Sequence, residues 1–339
     1  MGRLVFVVFP LIVAFAMLSL CHGMAAAAAP PKPKLQWHYY QVHNTCRDAE
    51  QYVRHEVKMF WKSDKSITAK LLRLISSDCF VTGCDASILL DEGPKPEKTA
   101  LQNRGLGGFV IIDKIKTVLE SRCPGIVSCS DILHLATRDA AKMAGAPGYP
   151  VFTGRKDGMK SDAALVDLPS PSISWQKALE YFESRGLDVL DMATLLGAHT
   201  MGRTHCSHIV DRLYNYSGTG NPDPSMDATF RDTMRGLCPP KTKKGQHDPL
   251  VFLNPNSGSN YTFRESYYKR ILHREAVLGV DQQLLFGDAT KEITDEFADA
   301  AGLEDFRRSF AQSMFKMGNI KILTGNQGEI RRNCRFTNK

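Results

Sequence analysis

The sequence lacks the features that mark several large classes of protein. It has no run of five basic residues and no glycine at every third position, and 43% of its 339 residues are hydrophobic. These properties argue against a nucleic-acid-binding protein, a collagen-like protein and a disordered chain. Alternating strand patterns are scarce too, with one short candidate at residues 149–153. The chain is long and apolar enough to bury a sizeable core.

Long apolar stretches are equally scarce, and the one present lies at the N-terminus. Arg3 precedes an apolar run over residues 4–20, which small residues and five alanines follow. This pattern is typical of a secretory signal peptide, with cleavage expected between residues 23 and 29. An uncleaved membrane anchor is the alternative, although the run is slightly short for a span. We expect a signal peptide over 1–29 and a single domain over 30–339.

The cysteines contain no pair spaced C-x-x-C, which argues against a zinc site. Of the nine cysteines, Cys21 lies in the expected signal peptide and eight remain. An even number in a secreted chain suggests four disulfides, although eight cysteines allow 105 pairings. Possible glycosylation triplets begin at Asn215 and Asn260, which agrees with secretion.

Helical periodicity dominates the rest of the chain. It predicts a mostly α-helical protein with long loops between the helices. An N-cap serine, Ser128, begins one of these helices, and a break near Gly302 separates the last two. The predicted helices cover residues 47–62, 66–77, 109–120, 128–145, 187–202 and 291–318.

The segment from Arg73 to Ser87 contains the first cluster that could carry chemistry. Calcium prefers six to eight oxygen ligands on a curved backbone, and this short segment offers several. The alternative is a capped helix end with solvated carboxylates. The candidate oxygens are the side chains of Asp78, Asp85 and Ser87 and the carbonyls of Val81 and Gly83.

The second cluster is the hexapeptide GAHTMG, which ends an apolar helix and contains His199. A histidine in this position could be a buried core residue, or it could be the axial ligand of a metal or haem. Such a ligand needs a carboxylate or carbonyl to orient its second ring nitrogen, and Asp281 is a candidate.

Together these pieces resemble the secreted plant haem peroxidases of class III. The resemblance extends from about Trp37 to Arg335 and includes the spacing of the cysteines. The segments that carry it are HYYQVHNTCRDAEQYVRHEV, DCFVTGCDASILLD, EKTALQN, IIDKIKTVLE, CPGIVSCSDIL, FTGRKDG, DLPSP, LLGAHTMGRTHC, VDQQLL and EIRRNC.

The resemblance implies an all-α haem-peroxidase fold, in which two helical lobes sandwich a b-type haem. His199 would hold the iron, and Asp281 would accept the other N–H of its ring. Arg73 would stabilise charge on the departing oxygen, Asn103 would orient a distal histidine, and Pro169 would lie where aromatic reductants dock. The implied disulfides are Cys46–Cys123, Cys79–Cys84, Cys129–Cys334 and Cys206–Cys238.

The resemblance also implies two calcium sites. The distal one would use Asp78, Val81, Gly83, Asp85 and Ser87, with Glu97 nearby through water. Thr200 would belong to the proximal one, but the family's two aspartates are replaced there by Asn254 and Arg264. Thr200 and Ser257 alone do not make a site, and the arginine charge would oppose the ion. We therefore expect one calcium, with Arg264 standing in for the charge of the other.

The family's distal histidine is absent from this chain. Ser77 occupies its position, and Ser76 occupies that of the neighbouring aromatic residue. The histidine takes a proton from peroxide and then returns it to the outer oxygen, whereas a serine hydroxyl is far too weak a base. Neither His55 nor His134 is expected to replace it.

The sequence therefore predicts a secreted, monomeric peroxidase that oxidises small phenolic donors with hydrogen peroxide, slowly because of Ser77. The alternatives are a non-catalytic secreted haem protein and a structural glycoprotein that has lost haem. The retained His199 and Asp281 argue against the last. Loss of Arg3 with the signal peptide lowers the net charge from +7 to about +6, which is compatible with attachment to acidic cell-wall polysaccharide.

Overall fold

α-Helices form most of the structure, a computed structural model that describes residues 35–241, 245, 247–255 and 258–338. The predicted signal peptide and Ser257 lie outside these residues. Thirteen α-helices occur in the described part: α1 (Tyr39–Val42), α2 (Ala49–Ser63), α3 (Ile67–Cys79), α4 (Phe109–Arg122), α5 (Cys129–Met143), α6 (Trp175–Glu183), α7 (Val189–Leu196), α8 (Val210–Tyr214), α9 (Ala228–Leu237), α10 (Ser266–Leu272), α11 (Gly279–Gln282), α12 (Asp288–Ala298) and α13 (Gly302–Met317).

Capping side chains fix where several helices begin. Ser128 accepts a hydrogen bond from the backbone N–H of Asp131, as the sequence predicts for an N-cap. Asp188 and Asp191 form a reciprocal capping box at the start of α7. These contacts satisfy N–H groups that the first helical turn leaves without partners, so both helices start at defined residues.

The helices pack in two groups. Helices α2, α3, α4 and α5 pack against one another, and α6, α7, α10, α12 and α13 form the second group. These groups correspond to the two predicted lobes. Arg73 and Ser77 lie on α3 in the first group, whereas His199 follows α7 in the second.

The β-structure consists of two short antiparallel pairs. Strand β1 (Gln36–Trp37) pairs with β2 (Phe152–Thr153), which falls within the segment predicted to be extended. Strand β3 (Arg203–His205) pairs with β4 (Leu250–Phe252), a pair that the sequence did not predict. Strand β3 begins shortly after the turn that contains His199.

The chain is cross-linked by the four disulfides that the family resemblance implied: Cys46–Cys123, Cys79–Cys84, Cys129–Cys334 and Cys206–Cys238. Near the third disulfide, the buried carboxylate of Asp157 accepts hydrogen bonds from the backbone N–H groups of Cys129 and Ser130. It also accepts one from Arg331 N. The C-terminal segment is therefore joined to the start of α5 by a covalent bond and by a shared carboxylate.

The described residues belong to one compact unit. Within this unit, no helix combines the length and the apolar composition needed to cross a bilayer.

Candidate active site

His199 is held by a buried carboxylate. Its Nδ1 donates a hydrogen bond to Asp281 Oδ1 at 2.8 Å, and Asp281 is 1% exposed. Burial lowers the pKa of His199, but the charge of Asp281 and this hydrogen bond raise it more, so the pKa lies above its usual value. The arrangement fixes both the orientation and the tautomer of the ring.

The other ring nitrogen of His199 is free to bind a ligand. Nε2 makes no hydrogen bond with any described residue, and the side chain keeps 29% exposure although protein surrounds it. Arg73, from the other group of helices, lies near enough for its charge to lower the pKa of His199. An imidazole that faces interior space, with its second nitrogen bound to a carboxylate, has the donor chemistry of an axial haem ligand.

A close approach of two elements places the His199 turn. The turn spans Gly197–Thr200 and follows α7 directly. A Cβ atom at Gly197 would lie 2.3 Å from Tyr268 Oη and 2.5 Å from the Phe306 ring. The backbone angles of Gly197 are ordinary, so glycine is needed here for space. Only a residue without a side chain lets the turn pack this closely against α10 and α13.

The residues of the distal side lie on α3 and in the loop that contains Asn103. Ser77 is 3% exposed, and its hydroxyl makes no hydrogen bond with any described residue. Arg73 Nη2 donates to the carbonyl oxygens of Gln102 and Arg104, at 3.2 and 3.1 Å. These two bonds hold the loop that carries Asn103 against α3.

Asn103 has one satisfied end and one unsatisfied end. Its Nδ2 donates to the carbonyl oxygen of Glu97 at 2.9 Å, whereas its Oδ1 is buried with no hydrogen-bond partner in the described chain. The family resemblance implies that this asparagine orients a distal histidine. An acceptor without a donor is the geometry expected when that histidine is replaced by Ser77.

Neither of the two other candidate histidines contacts Ser77. His55 is exposed on α2. His134 is buried on α5, where its Nδ1 contacts the carbonyl oxygen of Ser130 and its Nε2 lies 3.8 Å from Cys79 Sγ. The distal position is thus not filled by a histidine from another element in the described residues.

Three carboxyl groups lie together around the end of α3, with Asp78 and Glu97 buried and Asp85 half-buried. Asp78 accepts from Ala86 N at 2.9 Å, Asp85 accepts from Ser87 N at 2.9 Å, and the Ser87 hydroxyl contacts Glu97 Oε2 at 3.3 Å. Burial, and then the charge of Asp85, holds the pKa of Asp78 well above its usual range. Burial and the same charge raise the pKa of Glu97 to about 7.

This group of carboxyls has the chemistry of a calcium site. Glu97 Oε1 is buried and has no hydrogen-bond partner in the described part of the chain, and a divalent cation would relieve the repulsion among the three acids. The carboxylates alone do not converge. In the described part of the chain, three side-chain ligand atoms of His, Cys, Asp or Glu come within 4.8 Å of one another only at Cys79, Cys84 and His134. The two sulfurs there form a disulfide with each other. Because the carboxylates do not converge, a calcium near them would also need the carbonyls of Val81 and Gly83.

At the implied proximal calcium position, in contrast, the polar groups are bonded to other protein groups. The Thr200 hydroxyl donates to the carbonyl oxygen of Arg264 at 3.2 Å and accepts from its N–H at 3.3 Å. Asn254 Nδ2 donates to Ser266 Oγ at 3.0 Å. The backbone of Arg264 thus contacts Thr200, while its exposed guanidinium donates from Nε to Thr262.

The half-buried Pro169 lies in a segment that packs against the helix of Asp281. Two residues further on, the carbonyl oxygen of Pro171 accepts a hydrogen bond from Val280 N at 2.8 Å. A Cβ atom at Gly279 would meet Ser172 Cα at 3.1 Å. Val280 and Gly279 belong to α11 with Asp281, so the segment of Pro169 lies on the proximal side.

Tyr267 belongs to the site and was missed by the sequence analysis. Its hydroxyl donates to Asp281 Oδ1 at 2.9 Å, the same oxygen that accepts the His199 N–H. The sequence contained its Tyr-Tyr pair, but no local pattern indicates that a side chain 14 residues before Asp281 would reach it.

Both predicted glycosylation residues, Asn215 and Asn260, are exposed in this fold. Their positions are therefore sterically compatible with an attached glycan.

Comparisons with known proteins show the family to which the chain belongs. The family model described as Peroxidase matches residues 53–300. Probable peroxidase 26 of Arabidopsis thaliana is 65% identical over 314 residues, which cover 93% of each chain. Probable peroxidase 61 of the same plant is 63% identical over 97% of each chain. The lignin-forming anionic peroxidase of Nicotiana tabacum is 40% identical over 87% of this chain and 90% of its own. The chain therefore belongs to the peroxidase family, the haem enzymes that oxidise donor molecules with hydrogen peroxide.

Proposed function

We propose that this protein is a secreted peroxidase whose reaction with hydrogen peroxide is slowed by the loss of its distal base. The observation that carries the proposal is the pair of unmatched groups on the distal side. Ser77 is a buried residue whose hydroxyl makes no hydrogen bond with any described residue, and Asn103 presents a buried acceptor without a donor among the described residues. The Asn103 oxygen is the acceptor that the family resemblance pairs with a histidine at position 77.

On the proximal side, His199 Nε2 would hold haem b, and Asp281 would keep the imidazole electron-rich by accepting a hydrogen bond from its other N–H. When bound, haem would supply the iron that takes up peroxide and would store the two oxidising equivalents that peroxide provides for the donors. The 2.8 Å bond between His199 and Asp281 supports this assignment because it leaves Nε2 free.

On the distal side, the chain would retain charge stabilisation but lack proton transfer. Arg73 is held by two backbone carbonyls and keeps its positive charge near the site. Ser77 cannot accept the first proton of peroxide, because a hydroxyl is too weak a base at neutral pH. Losing a positioned acid–base group lowers a rate by about 10²–10⁴.

The donors would be small phenols that give up single electrons near Pro169. The position of its segment, packed against α11, supports this assignment. One relative is named a lignin-forming peroxidase, and lignin is made from phenols.

One calcium per chain would bind at the distal group of Asp78, Val81, Gly83, Asp85 and Ser87, near Glu97. The buried, mutually repelling carboxyls support this site. No second calcium would bind around Thr200 and Ser257, because Arg264 supplies backbone partners to Thr200.

Secretion would follow cleavage of a signal peptide within residues 23–29, leaving a single domain from about residue 30. Four disulfides and exposed Asn215 and Asn260 support an extracellular, cell-wall location. The net charge, which falls from +7 to about +6 when Arg3 leaves with the signal peptide, would favour contact with acidic wall polysaccharide, and the protein would act as a monomer.

A second candidate function is that of a non-catalytic haem protein that binds a ligand, senses redox state or acts in the cell wall. The small side chains of Ser76 and Ser77 favour it, because they leave room beside the iron for a sixth ligand. Cyanide or imidazole should then change the haem spectrum. A spectrum that ignores both would count against this second function.

Replacing Ser77 with histidine separates the two functions. The Ser77→His variant should raise the rate at which peroxide changes the Soret band by about 10²–10⁴ over the wild type. Ser76→His is the matched control, since it places the same group one position along α3, where the native hydroxyl bonds to Arg73 O.

The outcomes are distinct. A gain in Ser77→His alone would mean that only the base is missing. No gain, with an intact Soret band, would favour the non-catalytic protein. A wild type that already reacts as fast as the histidine variant would contradict the proposed weakening.

A further inference from the structure

Asp281 accepts two hydrogen bonds on one oxygen atom. His199 Nδ1 donates to Asp281 Oδ1 at 2.8 Å, and Tyr267 Oη donates to the same atom at 2.9 Å. Asp281 is 1% exposed and Tyr267 is 3% exposed, so water does not compete for either bond. In such surroundings each hydrogen bond changes the charge available to the other.

Tyr267 remains a donor over the working range of pH. Burial raises its pKa well above the usual value, and the charge of Asp281 raises it further. The ring is also fixed in place, since it packs edge-on against Tyr268 with the ring centroids 4.8 Å apart. The hydroxyl is therefore a permanent partner of the carboxylate.

We propose that Tyr267 is a positioning residue that tunes the proximal ligand by sharing Asp281 Oδ1 with His199. The inference rests on the proposed function, in which His199 holds the haem iron. A carboxylate oxygen that accepts from Tyr267 has less negative charge to offer the His199 N–H. The imidazole is consequently less anionic, and a weaker ligand, than it would be with Asp281 alone.

Removal of the Tyr267 hydroxyl should have the opposite effect on His199. In Tyr267→Phe, Asp281 Oδ1 has a single donor and draws the His199 proton more strongly. The imidazole becomes more anionic, binds ferric iron more tightly and lowers the reduction potential of the haem. This direction distinguishes tuning from a structural defect, which would loosen the ligand.

The chain offers a matched control in the next residue. Tyr268 is equally buried on α10, but its hydroxyl donates to the carbonyl oxygen of Ala193 at 3.1 Å and does not bond to Asp281. Tyr268→Phe removes the same atom from the same helix. Asp281→Asn should make the His199 imidazole less anionic, because an amide oxygen is a weaker acceptor for the His199 N–H.

The test uses resonance Raman spectroscopy of the ferrous, haem-loaded protein and its reduction potential. Tyr267→Phe should move the iron–histidine stretching band to higher frequency and the potential to a more negative value. Asp281→Asn should move both in the opposite direction, and Tyr268→Phe should leave both near the wild-type values. In the haem-free protein, the NMR signal of the His199 Nδ1 proton should move downfield in Tyr267→Phe alone.

An unchanged band in Tyr267→Phe, or equal shifts in Tyr267→Phe and Tyr268→Phe, would overturn the tuning while leaving the proposed haem ligand intact. A wild type with no iron–histidine band would overturn the proposed ligand and the tuning together. The NMR comparison does not depend on haem, so it shows which of these two has failed.

Discussion

At the scale of single residues, the two proposed calcium positions differ in how their polar groups are satisfied. Asp78 and Glu97 are buried beside other acids, and one oxygen of Glu97 has no partner in the described chain. The buried Thr200 hydroxyl instead has both a donor and an acceptor from the backbone of Arg264. A cation at the distal position would therefore reduce the repulsion among the acids, whereas the Thr200 hydroxyl already has its hydrogen bonds from the protein.

Elemental analysis should therefore find one calcium per chain. Asp85→Asn should lower the count to none, because it removes a carboxylate from the distal group. Thr200→Val is the control. It should keep one calcium and lower the free energy of unfolding by about 1 kcal/mol, through the lost bonds to Arg264. Two calcium ions in the wild type would contradict this reading of Thr200.

At the scale of secondary-structure elements, a buried arginine connects α8 to the segment that precedes α11. Arg212 on α8 donates to the carbonyl oxygens of Ala276 and Val277 at 2.7 and 2.8 Å, just before α11. Its Nε donates to Asp223 Oδ2 at 2.8 Å, and the arginine is fully buried. Because α11 carries Asp281, this ion pair supports the carboxylate that orients His199.

Replacing Asp223 with alanine should lower the free energy of unfolding by about 3–5 kcal/mol at pH 7, because it leaves the Arg212 charge buried and unpaired. Burial raises the pKa of Asp223, but Ser225 and Arg212 lower it more, so its folded pKa lies below its unfolded value. The stabilisation is complete above the unfolded pKa of about 3.9 and is lost as the pH falls through the folded pKa.

Urea unfolding at pH 7 and at pH 3 checks this prediction. The difference in the free energy of unfolding between wild type and Asp223→Ala should be smaller at pH 3 than at pH 7. Asp232→Ala is the control, since that carboxyl is 62% exposed and its ion pair should contribute less than about 1 kcal/mol. An equal loss at both pH values would mean that Asp223 acts through packing rather than charge.

The long helices could be predicted from the sequence, and the short elements could not. Periodicity over a dozen residues identifies α2, α3, α4 and α5, and the serine before α5 marks its start. Helix α11 has four residues and strand β3 has three, too few for any period to appear. These elements are fixed by tertiary contacts instead.

The same distinction applies to the site. The predicted partnership of His199 with Asp281 rested on family resemblance, and the structure places the two in hydrogen-bonding contact. Tyr267 was not predicted, because its hydroxyl reaches Asp281 only after α10 packs beside α11. The Arg264 backbone contacts with Thr200 also depend on this packing, and they join residues 64 positions apart in the sequence.

At the scale of the whole molecule, the disulfides and the predicted signal peptide point to the same compartment. When the full chain is expressed in a secretory host, the released protein should begin between residues 24 and 30 and contain no free thiol. N-terminal sequencing and thiol titration measure both. The matched control begins at residue 30 and is made in a reducing cytosol, where its eight cysteines should remain titratable.

A released protein that still contains Cys21 would contradict signal cleavage. A full chain that remains in the membrane fraction would instead favour the uncleaved anchor.

The disulfide that joins the C-terminal segment to α5 cannot form until long after α5 has been synthesised. Cys129 and its partner Cys334 are 205 residues apart, and Asp157 likewise waits for Arg331. At about 5–20 residues per second, some 10–40 seconds pass between the synthesis of the two cysteines. Cys46 and Cys123 are both made before this interval begins, so the first lobe can form its own cross-link while Cys129 is still a thiol. The Cys129–Cys334 link can close only after residue 334 has been made.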